Sequence, residues 1–248
     1  SYYDMFYRLP YSRKQDARLE KEVIAECDQA ITHCRSSRRI LAEKTAVPSH
    51  EKVNVITMAY DEQLLSRPSE PPQDRLAITY TGTIADFYEP AVLFRALGRL
   101  TRKYPQAPVE VRLVGVVGEQ VQQLVQEEGL TEVVTETGYV PRRTAVDYLM
   151  TSSAIVMINP YFKNERYHVP GKIYEYLASH KPILNIAPTD GETAEIIREC
   201  GAGQTFERHM EEEFLAYLEG LYSQWQANPD LDVKGNEACV RQFAYNQE

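Results

Sequence analysis

Lys172 and Glu175 stand three residues apart in the run Val169-Pro170-Gly171-Lys172-Ile173-Tyr174-Glu175-Tyr176-Leu177-Ala178-Ser179-His180-Lys181-Pro182-Ile183-Leu184. A lysine brings a full positive charge to an anion, and a carboxylate accepts hydrogen bonds from sugar hydroxyls. Pro170 and Gly171 predict the opening of a helix here, because proline suits a first turn. Residues three apart share one helix face. Ile173, Tyr174 and Leu177 supply its apolar side, Lys181-Pro182 ends it, and Ile183-Leu184-Asn185-Ile186 reads as a buried strand. A helix N-terminus offers unpaired N–H groups and partial positive charge to an anion. Phosphate plus diol describes a nucleotide sugar. The same spacing also suits an ordinary surface ion pair, worth about 0.2–0.5 kcal/mol.

Four further places carry residues of the right type. Gly82-Thr83 follows the run Ile78-Thr79-Tyr80-Thr81, and glycine there lets a phosphate or sugar approach the backbone; a simple tight turn is the plainer reading. In Gly138-Tyr139-Val140-Pro141 the backbone groups of Tyr139 and Val140 are placed to read a nucleobase edge, or merely to pack a loop. The eleven-residue loop Asn159 to Val169 brings Lys163 and Arg166, which can close over a diphosphate; long loops at a sheet's carboxyl edge are often functional. The alternative is a disordered, solvated loop, with His168 an ordinary loop histidine. Thr189-Asp190-Gly191-Glu192 reads as a helix cap and a second phosphate site, with Gly191 and Glu192 at the edge. The five histidines show no metal-ligand spacing, and no nucleophile elbow, P-loop or G-x-G-x-x-G fingerprint is present.

Regular elements must position these residues. Arg13 to Ala25 reads as a helix and Ala30 to Cys34 as a strand. Ser36 or Ser37 caps a helix to about Lys44, and Val53 to Thr57 is a strand. This unit has no obvious core of its own. Ser66 to Asp74 is a polar, proline-rich break. Beyond it strands at Leu76–Thr81, Val109–Val114, Glu132–Thr135, Ala154–Ile158 and Gly203–Phe206 alternate with helices at 90–104, 120–128, 142–150, 189–199 and 214–225. That alternation predicts an α/β fold, a Rossmann-like doubly wound parallel sheet. Ligands of such sheets bind outside the carboxyl ends of the strands, which is where every candidate residue falls.

The net charge of −9 argues against nucleic acid or anionic lipid as a broad electrostatic partner. Cys27, Cys34, Cys200 and Cys239 are scattered, so free thiols in a reducing compartment are expected. No apolar run approaches a membrane span, and no signal peptide is evident. The opening Ser1-Tyr2-Tyr3-Asp4 reads as internal chain, hence a piece of a longer protein.

Taken together, these motifs resemble the glycosyltransferases of the two-Rossmann-domain (GT-B) type, in particular the family 4-like group of polysaccharide and lipopolysaccharide assembly in bacteria. The resemblance runs through Tyr80-Thr81-Gly82-Thr83, Leu113-Val114-Gly115, Gly138-Tyr139-Val140 and, most specifically, Val169 to Ala178 with Lys181 to Leu184. It implies a nucleotide-sugar-binding domain over 76–228, a partial acceptor domain over 1–66, a linker over 67–75, and an extension over 229–248 that packs toward the first segment. Within the first segment, Cys27 to Thr32 and Val53 to Asp61 look like that domain's closing strands. Glu175 matches the second glutamate of the E-x7-E motif, which binds the donor ribose. Lys172, Gly82 and the 189–192 turn would face the diphosphate, and Tyr139-Val140 the base. The chain departs from the pattern at three places. Tyr167 stands where the first glutamate falls, Thr83 where an arginine is usual, and Tyr88 near an expected lysine.

The implied function is transfer of a sugar from a nucleoside-diphosphate sugar to a glycan or lipid-linked acceptor, with neither metal nor other cofactor. A cytoplasmic location is implied, with peripheral association of the full-length protein at the inner face of the membrane. The piece alone is expected to bind nucleotide weakly and to catalyse nothing, because the acceptor cleft lies between two domains. A sugar-nucleotide epimerase, a phosphorylase of similar fold and a non-catalytic nucleotide-binding module are the rival readings.

Overall fold

The computed structural model describes residues 10–45, 52–62, 70–231, 233 and 235–245. The expected boundaries at 1–9, 63–69 and 246–248 therefore lie outside the described residues. The first segment consists of α1 (Pro10–Glu26), β1 (Ala30–Thr32), α2 (Arg35–Thr45) and β2 (Val53–Val55). β1 and β2 pair in parallel as a sheet of two. Helix α2 begins at Arg35, before the serines expected to cap it. Ile31, Ile56 and Met58 stay exposed in this segment, whereas Cys34 and Tyr60 are buried against the larger unit.

That unit runs through β3 (Leu76–Thr81), α3 (Ala91–Lys103), β4 (Val109–Val114), α4 (Glu119–Glu127), β5 (Val134–Glu136), α5 (Arg142–Met150), β6 (Ala154–Ile158), α6 (Ile173–Ala178), β7 (Ile183–Ile186), α7 (Glu192–Glu199), β8 (Gly203–Phe206) and α8 (Glu211–Ala227). All six strands are parallel, in the order β5-β4-β3-β6-β7-β8. Counted from β3 this is the 3-2-1-4-5-6 order of the doubly wound Rossmann fold, which reverses between β3 and β6.

The reason is visible in β6, whose Ala-Ile-Val-Met-Ile is wholly buried. Successive side chains of a strand point to opposite faces, so both faces need cover. Val156 and Ile158 pack with Leu76, Ile78, α3 and α8. Ile155 and Met157 pack with α5, α6 and α7. Helix α3 commits Val92, Leu93, Phe94, Ala96, Leu97 and Leu100 to the first face, while Arg99 on its other side reaches Glu211 and Glu212 in the first turn of α8.

Three local expectations are corrected. Pro170 and Gly171 do not start the helix; α6 begins at Ile173, with Lys172 in the capping position. The edge strand lies at Val134–Glu136 rather than 132–135, because Leu130 anchors a turn through the amides of Val133 and Val134. Cys200 and Cys239 are joined as a disulfide rather than free, while Cys27 and Cys34 are free thiols. The pairing depends on the path of the last segment. The Asn236 amide donates to the Cys200 carbonyl at 2.8 Å, and a Cβ on Gly235 would meet that same carbonyl oxygen at 2.4 Å. Beyond it α9 (Glu237–Arg241) is capped by Asn236. Phe243 then sets its ring against Tyr174 in a tilted contact, and Tyr60 bonds backbone-to-backbone with Phe243 and Tyr245.

Candidate functional site

A glycine follows β3, at the reversal point, and another follows its neighbour β4. Gly82 has φ of 115° and Gly115 φ of 143°, a region that side chains disfavour. A Cβ on Gly115 would lie 2.1 Å from the Gly82 carbonyl oxygen. The two loops therefore interlock, and nothing larger than glycine fits at 115. Beneath Gly82 lies the Lys172 ammonium, 3.1 Å from where a Gly82 Cβ would be. Its Nζ donates to the Tyr80 hydroxyl at 2.8 Å and to the Thr81 carbonyl at 2.9 Å, and it sits 4.1 Å from the centre of the Tyr80 ring. The Tyr80 hydroxyl donates in turn to the Thr83 carbonyl at 2.9 Å. Tyr176, fully buried one turn along α6, accepts from the Thr81 amide at 3.1 Å. No carboxylate pairs with Lys172 among the described residues, and burial lowers its pKa to about 8.

Glu175 takes the opposite direction. It stays at the rim and pairs with Arg142, the first residue of α5. Arg142 follows Gly138-Tyr139-Val140-Pro141, so this ion pair joins the two stretches assigned to base and ribose. Tyr139 is 85% exposed, its ring free to stack against a planar partner. Val140 is half-buried.

The 159–169 segment is ordered, with a turn of 3-10 helix at Glu165–Tyr167. Asn159, just after β6, is buried; its Nδ2 donates to the His168 carbonyl at 3.3 Å, and its Oδ1 has no partner among the described residues. Glu165 is buried against Arg208 at 2.9 Å. Burial pushes its carboxyl up, and Arg208 opposes the shift. Arg208 also donates to the Asn159 carbonyl and covers the Tyr161 ring. Burial, then the charges of His33 and Lys172, bring His168 down to about 4, so it is neutral at pH 7. Lys163 is exposed and makes no ion pair among the described residues.

The 188–192 turn faces the first segment. Gly191 is buried at the start of α7, where a Cβ would press on the Arg166 carbonyl at 3.0 Å. Arg166 pairs with Asp190 at 3.1 Å. The Glu192 carboxylate accepts from the amides of Arg35 at 2.8 Å and Ser36 at 2.6 Å. It therefore caps α2, an anion at a helix N-terminus. Burial pushes the Glu192 carboxyl up, but bonds from Ser36 and Arg35 outweigh it and leave its pKa lowered.

Lys172, Gly82 and Thr83 thus meet at one corner. Glu175 with Tyr139 and Val140 forms a second, and Arg166, Gly191 and Glu192 a third. Sequence reasoning missed Tyr80, Tyr176, Arg142, Asn159 and Arg208. The tyrosines read as strand and helix core, and only the position of Asn159 and Arg208 just after strands carried a signal. Among the described residues no group of His, Cys, Asp and Glu could hold a metal ion, and no helix is long and apolar enough to cross a membrane.

No protein-family model matches the chain, and no curated protein matches it significantly. Solved structures do. HepE of Anabaena, solved in complex with UDP, superposes with a TM-score of 0.71 at 12% identity, over 93% of this chain and 64% of that one. A glycosyltransferase from Rickettsia africae gives 0.68 at 16% identity, over 96% of this chain and 64% of that one. The C-terminal domain of the LpcC glycosyl transferase of Francisella tularensis gives 0.55 at 16% identity, over 74% of this chain and 97% of that one. The chain thus spans less than two thirds of the first two. At these identities the likeness establishes the fold, a Rossmann-like α/β sheet of the kind found in one half of a GT-B architecture.

Proposed function

We propose that the chain is the donor-binding part of a glycosyltransferase that moves a sugar from a nucleoside-diphosphate sugar to a glycan or lipid-linked acceptor. The observation that carries this reading is Lys172. A half-buried ammonium that, among the described residues, is held by neutral oxygens and a ring face with no carboxylate is costly, and it lies at the reversal point where ligands of this fold bind. An anion above Gly82 would supply the missing partner. Gly82 and Thr83 are exposed there, and a fixed positive charge at a departing diphosphate is a large part of what catalyses such transfers. Glu175, turned by Arg142, would take the ribose, and Tyr139-Val140 the base. Lys163 and Arg166, the latter paired with Asp190, are the further charges of the reading, and Gly191 with Glu192 the framework of the third corner.

The domain reading follows. Residues 76–228 form the donor domain, and the 229–248 extension returns to a first segment that is the end of an acceptor domain. The likeness to HepE, solved in complex with UDP, and to the isolated C-terminal domain of LpcC supports this. Transfer proceeds without a metal in this reading. A cytoplasmic setting at the inner membrane face is part of it, and the Cys200–Cys239 disulfide is the observation that weighs against that setting.

Calorimetry with UDP and GDP tests the reading. Saturable binding that weakens roughly ten- to hundredfold in Lys172→Met, with the melting temperature retained, is expected. If the wild-type chain binds neither nucleotide, the donor assignment fails.

A further inference from the structure

A cavity of about 560 Å³ opens between α2 and the turns at 166–167 and 190–195. Its α2 wall is Arg35, Ser36, Arg38, Arg39, Ala42 and Glu43. All but Ser36 fall at i, i+3, i+4, i+7 and i+8, one face of a helix. A face turned toward another element is normally apolar, and half of this wall is arginine.

Most arginines of the chain that the structure describes are ion-paired, as its acidic balance leads one to expect. Arg35 is held by Glu192, Glu195 and Glu199, and Arg166, on the opposite wall, by Asp190. Arg38 has no ion pair among the described residues. Arg39 has none either and lies 5.5 Å over the Tyr167 ring. Two neighbouring guanidinium groups thus look into a polar, ring-walled cavity with Glu43 as the one carboxylate there whose charge no ion pair offsets among the described residues. Planar guanidinium forks match carboxylate and phosphate oxygens bidentately, and a tyrosine face suits the apolar side of a sugar ring.

We propose that this cavity seats an acidic sugar residue of the acceptor, its phosphate or carboxylate held by Arg38 and Arg39, and its ring set against Tyr167. Calling the ligand an acceptor rests on the transferase reading; the acidic-sugar chemistry stands on the cavity itself. The cavity shares Arg166 and Glu192 with the third corner, but Arg38 and Arg39 have no part in the donor reading, so variants there read this site apart from Lys172.

The test titrates the chain by NMR with glucose 6-phosphate, glucuronate and uncharged glucose, and separately with UDP and GDP. At least one charged sugar is expected to bind about tenfold tighter than glucose, and which one does so tells phosphate from carboxylate. The double variant Arg38→Gln/Arg39→Gln is expected to erase that preference while nucleotide affinity stays within about twofold. Arg38→Gln alone reads the same difference should the double variant fold poorly. Equal binding of the three sugars, or a preference that survives in the double variant, overturns the proposal. So does loss of nucleotide binding in the double variant, which would move these arginines into the donor site. Absence of nucleotide binding in the wild type would instead strike the donor reading and leave the sugar titrations to decide this one.

Discussion

Helix α6 holds two charges in its opening turn and treats them in opposite ways. Lys172 turns under the Gly82 loop, where neutral oxygens and a ring surround it. Glu175 stays at the rim and takes Arg142 as partner. The first arrangement costs free energy until something arrives, whereas the second is already satisfied. Surface pairs such as the second contribute little, about 0–1 kcal/mol. Lys172 is therefore the charge that an incoming anion would relieve, whereas Glu175 adds direction.

Breaking the frame around Lys172 has the largest expected effect. Gly115→Ala forces a Cβ to within 2.1 Å of the Gly82 carbonyl, so a loss of about 3 kcal/mol in stability is expected, read as urea midpoint. A silent Gly115→Ala would mean that the loops do not interlock.

Next comes the charge itself. Lys172→Met is expected to weaken nucleoside-diphosphate binding by about 1.5–3 kcal/mol, roughly ten- to hundredfold. The unliganded protein should be as stable as before or more so, since an uncompensated buried charge is gone. Unchanged affinity would reduce Lys172 to a packing residue.

The pH dependence separates the two roles further. With Lys172 lowered from 10.5 to about 8 in the folded chain, the unfolded chain binds the extra proton between those values. The stability contribution of this group therefore rises with pH across that window, while nucleotide affinity falls as the ammonium is lost above about 8. Thermal melts and calorimetry at matched pH should move in opposite directions in the wild type, and neither trend should persist in Lys172→Met.

At the rim the effects are smaller. Glu175→Gln should shrink the preference for UDP over its 2′-deoxy analogue several-fold, and Arg142→Ala should do so in part by freeing the carboxylate. Either change should alter stability by less than about 1 kcal/mol. Smallest of all, Lys163→Ala should leave affinity within about twofold unless the loop closes on ligand.

The sheet was legible because its strands are short apolar runs between turn residues. Leu76–Thr81, Val109–Val114, Ala154–Ile158, Ile183–Ile186 and Gly203–Phe206 stand where the pattern put them. Edges blurred where local bonding rules, as at Val134–Glu136. The general place of the site was legible too, since the fold confines ligands to one edge of the sheet. The direction of each side chain was not. An i, i+3 pair says nothing about which member is swallowed by a neighbouring strand. Nothing near Glu192 announced that α2, more than 150 residues earlier, would dock there. Nor can spacing reveal that Cys200 and Cys239 meet, because their meeting depends on how the chain returns.

That return has a mechanical consequence. The backbone passes between the first segment and the sheet once on the way out and again when Phe243 and Tyr245 come back to flank Tyr60. Pulling the first segment away from the sheet would have to break the backbone pairing of Tyr60 and the ring contact of Phe243 with Tyr174 together, because the Cys200–Cys239 disulfide holds the returning stretch to the end of α7.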